Sequence, residues 1–183
     1  MSTSSHHSCG VKTDATVVCW GRGYYEEATA PAGTFTEVST GFFHTCGVKT
    51  NGNVVCWGYI TTAPAGSFRS VSAGAGHTCG VKTDGTVVCW GENYYGEATP
   101  PAGSFTQVSS GFGYSCGVKT DSTVVCWGRN SYGQATAPAG SFSQVSASPE
   151  GGDHSCGMKS DGTVVCWGDN RNGQSTPPAG SFL

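Results

Sequence analysis

The sequence predicts an all-β fold, a five-bladed β-propeller in a single domain that spans residues 1–183. The string Val-Val-Cys-Trp-Gly occurs five times, with its tryptophans 37, 33, 37 and 40 residues apart. Runs rich in Val, Thr and aromatic residues are broken at short intervals by Gly and Pro, a pattern typical of strands and turns. No stretch shows a sustained helical period. One unit of about 37 residues, present five times, therefore organises the chain.

The third copy predicts the order of elements within one unit. Strands are expected at residues 67–72, 77–82 and 86–90, because each run alternates or is rich in β-branched residues. Short Gly-containing turns join the three strands. A Gly-bounded loop then leads to Pro100-Pro101-Ala102-Gly103, which closes the unit.

The two ends of the chain carry parts of one further repeat. Residues 1–2 precede Cys9 as residues 71–72 precede Cys79, and residues 178–183 match residues 64–69. We therefore expect a seam blade completed by both termini, which removes the free edges of the ring. The alternative is a tail that pairs with the head of another copy, giving an oligomer or a fibre.

Every copy carries two cysteines ten positions apart: Cys9 and Cys19, Cys46 and Cys56, Cys79 and Cys89, Cys116 and Cys126, and Cys156 and Cys166. With a three-residue turn at 83–85, Cys79 faces Cys89 in antiparallel register, at a spacing that suits a disulfide. We predict five such disulfides, each worth about 2–3 kcal/mol, and a secreted or cell-surface location. Ala15 and Ser122 replace the turn Gly in two copies, so backbone strain is expected there. The alternative is ten buried thiols in a reducing cell.

Three strings of the fifth copy carry a family resemblance: His154-Ser155, the run Asp-Gly-Thr-Val-Val at 161–165, and Trp-Gly-Asp-Asn-Arg-Asn-Gly-Gln at 167–174. They resemble the repeat of the regulator of chromosome condensation family. The Gln-Ser-Thr-Pro-Pro end of this copy is most similar to the bacterial branch, that of the propeller-type β-lactamase inhibitor proteins. The resemblance covers nearly the whole chain and implies a propeller of four-stranded blades, a fold that serves many partners.

The chain departs from that family in two ways. The family usually has seven blades, whereas this chain has five repeats, so binding surfaces do not transfer blade by blade. The paired cysteines stand where the family usually has an aliphatic and a small residue, which favours an exported branch. In the inhibitor branch, the residues before the repeat His supply aromatic contacts on one face of the ring.

Composition and motifs exclude several functional classes. The net charge of −3 disfavours nucleic-acid binding, and no apolar run reaches the length of a membrane span. No nucleophile stands beside a base, and no phosphate or Ca²⁺ loop or Cys-x-x-Cys motif occurs, so we expect no enzyme, cofactor or metal. Four histidines share one repeat position that Tyr114 fills in the fourth copy: His7, His44, His77 and His154. We expect them to hydrogen-bond neighbouring turns; a metal-binding ring is the alternative.

The repeats differ from one another in two zones, where specificity is expected. One zone precedes the His position and supplies the candidate binding residues Phe42, Phe43, Phe112, Glu150 and Asp153. The other follows Trp-Gly and supplies the candidates Tyr24, Tyr25, Tyr59, Tyr94, Tyr95 and Tyr132. Two adjacent Phe residues are hard to bury together in one loop, so the first zone is favoured. Tyr95 and Tyr132 have an alternative role as spacers between blades.

The favoured function is a non-enzymatic extracellular module that binds a protein through one face of a disulfide-stapled ring. A lectin is the first alternative, since Tyr-rich loops stack on sugars, although the loops vary more than repeated sugar pockets should. A structural, self-assembling surface or filament protein is the second. The chain is expected to be a monomer or an oligomer joined through the seam.

Overall fold

The computed structural model describes residues 1–182, and every regular element within them is a β-strand. The strands are β1 (Ser2–Thr3), β2 (His7–Val11), β3 (Val17–Gly21), β4 (Phe35–Thr40), β5 (His44–Lys49), β6 (Val54–Gly58), β7 (Phe68–Ala73), β8 (His77–Lys82), β9 (Val87–Gly91), β10 (Phe105–Ser110), β11 (Tyr114–Lys119), β12 (Val124–Gly128), β13 (Phe142–Ala147), β14 (His154–Lys159) and β15 (Val164–Gly168). Successive triplets form five antiparallel sheets, which are blades 1 to 5. The five-bladed all-β prediction is confirmed. No membrane-spanning helix is found in residues 1–182.

The predicted hairpin register is confirmed in every blade. Cys79 lies opposite Cys89 and Gly80 opposite Val88, and the other four hairpins repeat this pairing. Ala15 and Ser122 have φ angles of 65° and 68°, so both occupy the left-handed region expected of a Gly.

The predicted cysteine pairs all form disulfides within their hairpins, with Cα atoms 4.0–4.1 Å apart. The bonds join Cys9 to Cys19, Cys46 to Cys56, Cys79 to Cys89, Cys116 to Cys126, and Cys156 to Cys166. The second cysteine of a pair lies on the third strand of its blade. There Cys56 is only 5% exposed, whereas Cys19, Cys89, Cys126 and Cys166 are partly buried. The alternative of ten buried thiols is therefore wrong for this structure.

The hydrophobic core lies between adjacent blades. One blade contributes its disulfide and two Val residues, and the next contributes a Phe, a Val and a Trp. Between blades 2 and 3, for example, the disulfide packs with Val48 and Val54 against Phe68, Val71 and Trp90. The same arrangement recurs between blades 1 and 2 and between blades 3 and 4. Between blades 4 and 5 the disulfide and its Val residues pack against Val145, Ala147 and Trp167. The regular spacing of the repeats thus places matching apolar faces against each other.

Each Phe of this core lies on a Gly of its own sheet. A Cβ added to Gly80 would lie 2.7 Å from Cδ1 of Phe68, and one added to Gly47 would lie 2.8 Å from Cδ1 of Phe35. Real Cβ atoms do not approach ring carbons this closely. In blades 2 to 5, the Gly after the first cysteine is therefore required for the aromatic packing.

Two expectations differ from the structure. The resemblance implied four strands in a blade, but each sheet has three, because the segment after the third strand turns repeatedly and carries Pro residues without an N–H to donate. The expected C-terminal strand of the seam blade is not seen in residues 178–182. The N–H of Phe182 instead donates to the carbonyl of Gly162 in blade 5, at 2.8 Å. Leu183 lies outside the described residues.

Candidate recognition surface

Both variable zones lie on the same side of the propeller. The turn between the first two strands of a blade meets the segment that follows its third strand: the N–H of Tyr59 donates to the carbonyl of Phe43 at 2.9 Å. The hairpin loop lies at the other end of the strands, where the N–H of Phe68 donates to the carbonyl of Gly52. We call the first side the variable face and the second the hairpin face. Two zones that the sequence offered as rival sites therefore form one surface.

Aromatic side chains of blades 1 and 2 meet on the variable face. The rings of Phe42 and Phe43 lie 4.4 Å apart, edge to face, and both are half-buried. His6 lies 4.5 Å from Phe42, while Tyr25 lies 5.5 Å from Phe43 and 5.7 Å from Tyr59. Such edge-to-face pairs are favourable and hold one another in place. The result is an aromatic cluster that is fixed in position and open to solvent.

Arginine side chains extend this cluster in both directions. The guanidinium of Arg22 lies 4.5 Å from the ring centre of Tyr24 and 5.2 Å from that of Phe43. On another part of the face, the guanidinium of Arg129 lies 5.7 Å from the ring centre of Phe112. The same guanidinium lies 6.0 Å from the ring centres of Tyr95 and Tyr132. These distances allow cation–π attraction. Aromatic rings and guanidinium groups therefore alternate on the variable face.

A groove that contains an acidic side chain separates the two arginines. Glu92, Phe42, Phe43, Tyr59 and Phe112 line a cavity of about 150 Å³, together with two small residues of blade 3. The Glu92 carboxylate occupies the space that a side chain at position 76 would need, since a Cβ on that Gly would overlap it. A single carboxylate thus stands among aromatic walls.

The remaining candidates fall into different environments. Glu150 accepts a hydrogen bond from the backbone N–H of Ser5. Asp153 is only 6% exposed and accepts hydrogen bonds from Arg129 and Gln134, both at 3.0 Å. Its role in the structure is therefore to hold Arg129. Tyr24, Tyr25, Tyr59, Tyr94, Tyr95 and Tyr132 are exposed.

The histidines at the repeated position hold adjacent blades together. His7 shares a 2.7 Å hydrogen bond with Thr45, His44 with Thr78, and His77 with Ser115, in each case through Nε2. Burial lowers the pKa of His44 to about 3 and that of His77 to about 4, so both rings stay neutral near pH 7. These histidines do form hydrogen bonds, but the expected partner was wrong: it is a hydroxyl on the second strand of the next blade and not a turn. No cluster of His, Cys, Asp or Glu in residues 1–182 is arranged to hold a metal ion.

At one repeat position with a marked chemical difference between blades, the predicted site included only Tyr59 and left out the residues of the other four blades. The residue directly after Trp-Gly is Arg22, Tyr59, Glu92, Arg129 and Asp169 in blades 1 to 5. In every blade its N–H donates to the carbonyl of the residue before the repeated position, at 2.8–2.9 Å. The backbone is thus constant while the side chain changes. The alignment of the five copies contains this signal, but the candidates chosen from this zone were all tyrosines, so the charged residues were left out.

Sequence comparison identifies the repeat. The profile described as the regulator of chromosome condensation (RCC1) repeat matches residues 35–59, 68–97, 105–134 and 142–174. These segments cover most of blades 2 to 5. No curated protein sequence gives a significant match.

Solved structures include larger propellers of similar fold. The entire ectodomain of the Physcomitrella patens receptor kinase CR4 is 26% identical, with a TM-score of 0.80, over 94% of this chain and 52% of that one. The CRINKLY ectodomain of the Arabidopsis thaliana receptor kinase ACR4 is 29% identical, with a TM-score of 0.73, over 91% and 61%. Prp20p of Saccharomyces cerevisiae is 15% identical, with a TM-score of 0.73, over 89% and 56%. The chain thus spans about half to three fifths of these proteins.

Proposed function

Because the chain belongs to the RCC1 repeat family, we propose that it is a non-enzymatic recognition module that binds a protein partner through its variable face. The family's fold supplies a rigid frame, and function has to be assigned from the site itself. The observation that carries the proposal is the aromatic cluster of His6, Tyr25, Phe42, Phe43 and Tyr59 on that face.

The chemistry of this cluster suits a protein ligand. Large aromatic side chains and arginines supply most of the binding energy in protein interfaces. Here the rings already contact one another, so little side-chain freedom is lost when a partner covers them. The disulfide in each blade further restricts the frame that carries the loops. The face is therefore preorganised for binding.

Glu92 indicates which partner residues would fit. Its carboxylate stands beside Phe42, Phe43 and Tyr59, and aromatic faces attract cations. A lysine or arginine side chain of the partner would gain both a charge-assisted hydrogen bond and cation–π contact in this groove. We therefore propose a partner segment that presents a basic side chain flanked by apolar residues.

An extracellular location is part of the proposal. Five disulfides are typical of oxidising compartments, and all ten cysteines of this chain are paired. The similarity to two receptor-kinase ectodomains, at 26% and 29% identity, supports the same location.

The proposal is tested by selecting a phage-displayed library of random 12-residue peptides on the immobilised oxidised protein. Peptides that bind are then titrated in solution against the wild type and against Phe43→Ala. We expect the substitution to weaken binding by about 1–3 kcal/mol, the range of an aromatic hot spot, with little change in melting temperature. Thr83→Ala, on the hairpin face, is the control and should leave affinity unchanged.

A second variant tests the groove. Glu92→Gln should lower the affinity for peptides that carry Lys or Arg. The affinity for neutral peptides should stay unchanged. Equal affinity of wild type and Phe43→Ala for every selected peptide would contradict the proposed surface. Failure to select peptides, together with binding to an oligosaccharide array, would favour the carbohydrate alternative.

A further inference from the structure

Three cavities on the variable face share one charged side chain, that of Glu92. The aromatic-walled cavity of about 150 Å³ is one of them, and two others, of about 560 and 200 Å³, share both Glu92 and Gly76 with it. All of the lining residues belong to blades 2 to 4, and each of these blades packs between two others. Contacts between internal blades therefore set the shape of this region.

The carboxylate of Glu92 is not neutralised by a neighbouring side chain. It makes no hydrogen bond or ion pair within residues 1–182, and it is exposed to solvent. Two other carboxylates of the variable face are paired, Asp153 with Arg129 at 3.0 Å and Asp169 with Arg171 at 2.9 Å. Glu92 thus provides a free negative charge that a ligand can reach.

Aromatic rings form the walls around this charge. Phe42, Phe43 and Tyr59 of blade 2 stand on one side, and Phe112 of blade 4 stands on the other. Two small residues of blade 3 leave the space between them open. The faces of aromatic rings attract cations, as the carboxylate does, so the cavity is built for a positive charge with an apolar surface.

The lining side chains suit a quaternary ammonium better than a primary one. Only Glu92 and Tyr59 among them carry a hydrogen-bond acceptor. A lysine ammonium can give one N–H to the carboxylate, but its other donors hold water that aromatic walls do not replace, which costs free energy. A quaternary ammonium carries the same charge without N–H groups, and its methyl groups pack directly on the rings.

The widest of the three cavities gives such a ligand a polar exit. It lies along the segment from Trp57 to Pro64, which is four residues shorter than the matching segment from Trp90 to Pro101. Its walls include the exposed hydroxyls of Thr61 and Thr62. In choline an oxygen follows the nitrogen after two carbons, whereas a methylated lysine continues as a longer apolar stem. Hydroxyl groups beside the aromatic cavity therefore favour the choline group.

We propose that the groove around Glu92 binds the quaternary ammonium group of a choline-type ligand. The ammonium lies among the four aromatic rings with its charge facing the carboxylate, and its oxygen substituent leads towards Thr61 and Thr62. This site uses part of the variable face but needs no protein partner, so it is tested separately from the proposed protein recognition.

A nuclear magnetic resonance titration of the isotope-labelled, oxidised protein with choline chloride tests the site. Choline should shift the amide signals of residues 75–76, 92 and 112–113 and leave those of the hairpin loops at 50–53, 83–85 and 120–122 unchanged. The neutral control is 3,3-dimethylbutan-1-ol, which has the shape of choline with carbon in place of nitrogen. It should bind about 5- to 30-fold more weakly, the range of a desolvated cation–π contact.

Two variants separate the charge from the aromatic wall. Glu92→Gln removes the charge and keeps the size of the side chain, and Phe112→Leu keeps an apolar wall without an aromatic face. Each should lower the affinity for choline by about fivefold or more. Phe112 lies outside the aromatic cluster that carries the proposed protein recognition. Tyr24→Leu, at an exposed aromatic outside the cavity, is the matched control, and circular dichroism checks that all variants fold.

Weaker choline binding by Glu92→Gln and Phe112→Leu, with unchanged binding by Tyr24→Leu, would support the choline site. Equal affinity for choline and the neutral alcohol, or no shift with choline in large excess, would overturn it even where selected peptides still bind. Tighter binding of the amide of N-acetyl-trimethyl-lysine than of choline would assign the groove to a protein side chain and would also overturn the choline assignment.

Discussion

Single residues set the spacing between blades in this protein. Gly80 admits the ring of Phe68, and the buried His77 reaches Ser115 in the next blade at 2.7 Å. The Phe68 ring fills the space that a Cβ on Gly80 would need, and the His77–Ser115 hydrogen bond is short, so a larger residue at position 80 or 77 would displace a neighbour. The His and Gly positions therefore fix how closely successive sheets pack.

Two non-glycine residues in hairpin turns are expected to lower stability. Ala15 and Ser122 have positive φ, where the other copies have Gly. Ala15→Gly and Ser122→Gly should each raise the free energy of unfolding by about 0.5–1 kcal/mol, because the strain exceeds the entropic cost of Gly. Urea denaturation with the disulfides intact measures the change. The reverse substitution Gly85→Ala is the control and should destabilise; a loss of stability in the Gly variants would contradict the reasoning.

A buried carboxyl group makes stability depend on pH. Burial raises the pKa of Glu37 from about 4.5 to about 7. An acid whose pKa is raised on folding stabilises the protein below its unfolded pKa, and this contribution is lost as pH rises through the folded pKa. In blade 4 the same position is Gln107, whose amide bonds both backbone groups of Val145, at 2.9 and 3.1 Å.

Glu37→Gln should therefore stabilise the protein more at pH 8 than at pH 4.5. The difference is expected to be on the order of 1–2 kcal/mol, since the side chain keeps some contact with water. Urea denaturation at the two pH values gives it directly. Gln107→Glu is the matched control and should add a pH dependence of the same sign; an equal effect of Glu37→Gln at both pH values would contradict this explanation.

At the scale of the element, the hairpin was the most predictable part of the fold. A three-residue turn with Gly in the left-handed position fixes the register, and the register places each pair of cysteines face to face. The sequence also shows the length of the segment after the third strand, but it does not show how that length affects hydrogen bonding in the next blade. In the second copy that segment is shorter, and the buried indole N–H of Trp90 has no hydrogen-bond partner in the described chain. Such a loss depends on the path of a loop across the neighbouring blade.

The five disulfides should differ in their susceptibility to reduction. Cys156 is partly exposed, while the corresponding cysteines of blades 1 to 4 are fully buried. Under native conditions, limited reductant should open Cys156–Cys166 first. Alkylation followed by peptide mass spectrometry identifies the order. Simultaneous reduction of all five disulfides, or earlier reduction of a more buried one such as Cys46–Cys56, would contradict the idea that burial sets the order of reduction.

At the scale of the whole molecule, the sequence predicted the number of blades but not which loop residues meet. Contacts such as Arg129 with Asp153, or His6 with Phe42, join residues of different repeats whose separation depends on the packing angle between sheets. Repeat alignment finds variable positions and gives no distances between them. The expectation of four-stranded blades, which came from the family resemblance, was also wrong: each sheet has three strands, and the segment that would supply a fourth forms turns.

Hydrogen–deuterium exchange of the protein with a selected peptide tests the proposed recognition surface most directly. Bound peptide should slow exchange at the variable face, in residues 41–44, 59–62, 92–95 and 112–113. Exchange in the hairpin loops at 50–53, 83–85 and 120–122 should stay as in the free protein, because those loops lie at the opposite ends of the strands. Slower exchange confined to the hairpin loops would show that the protein binds through the other side and would contradict the proposal.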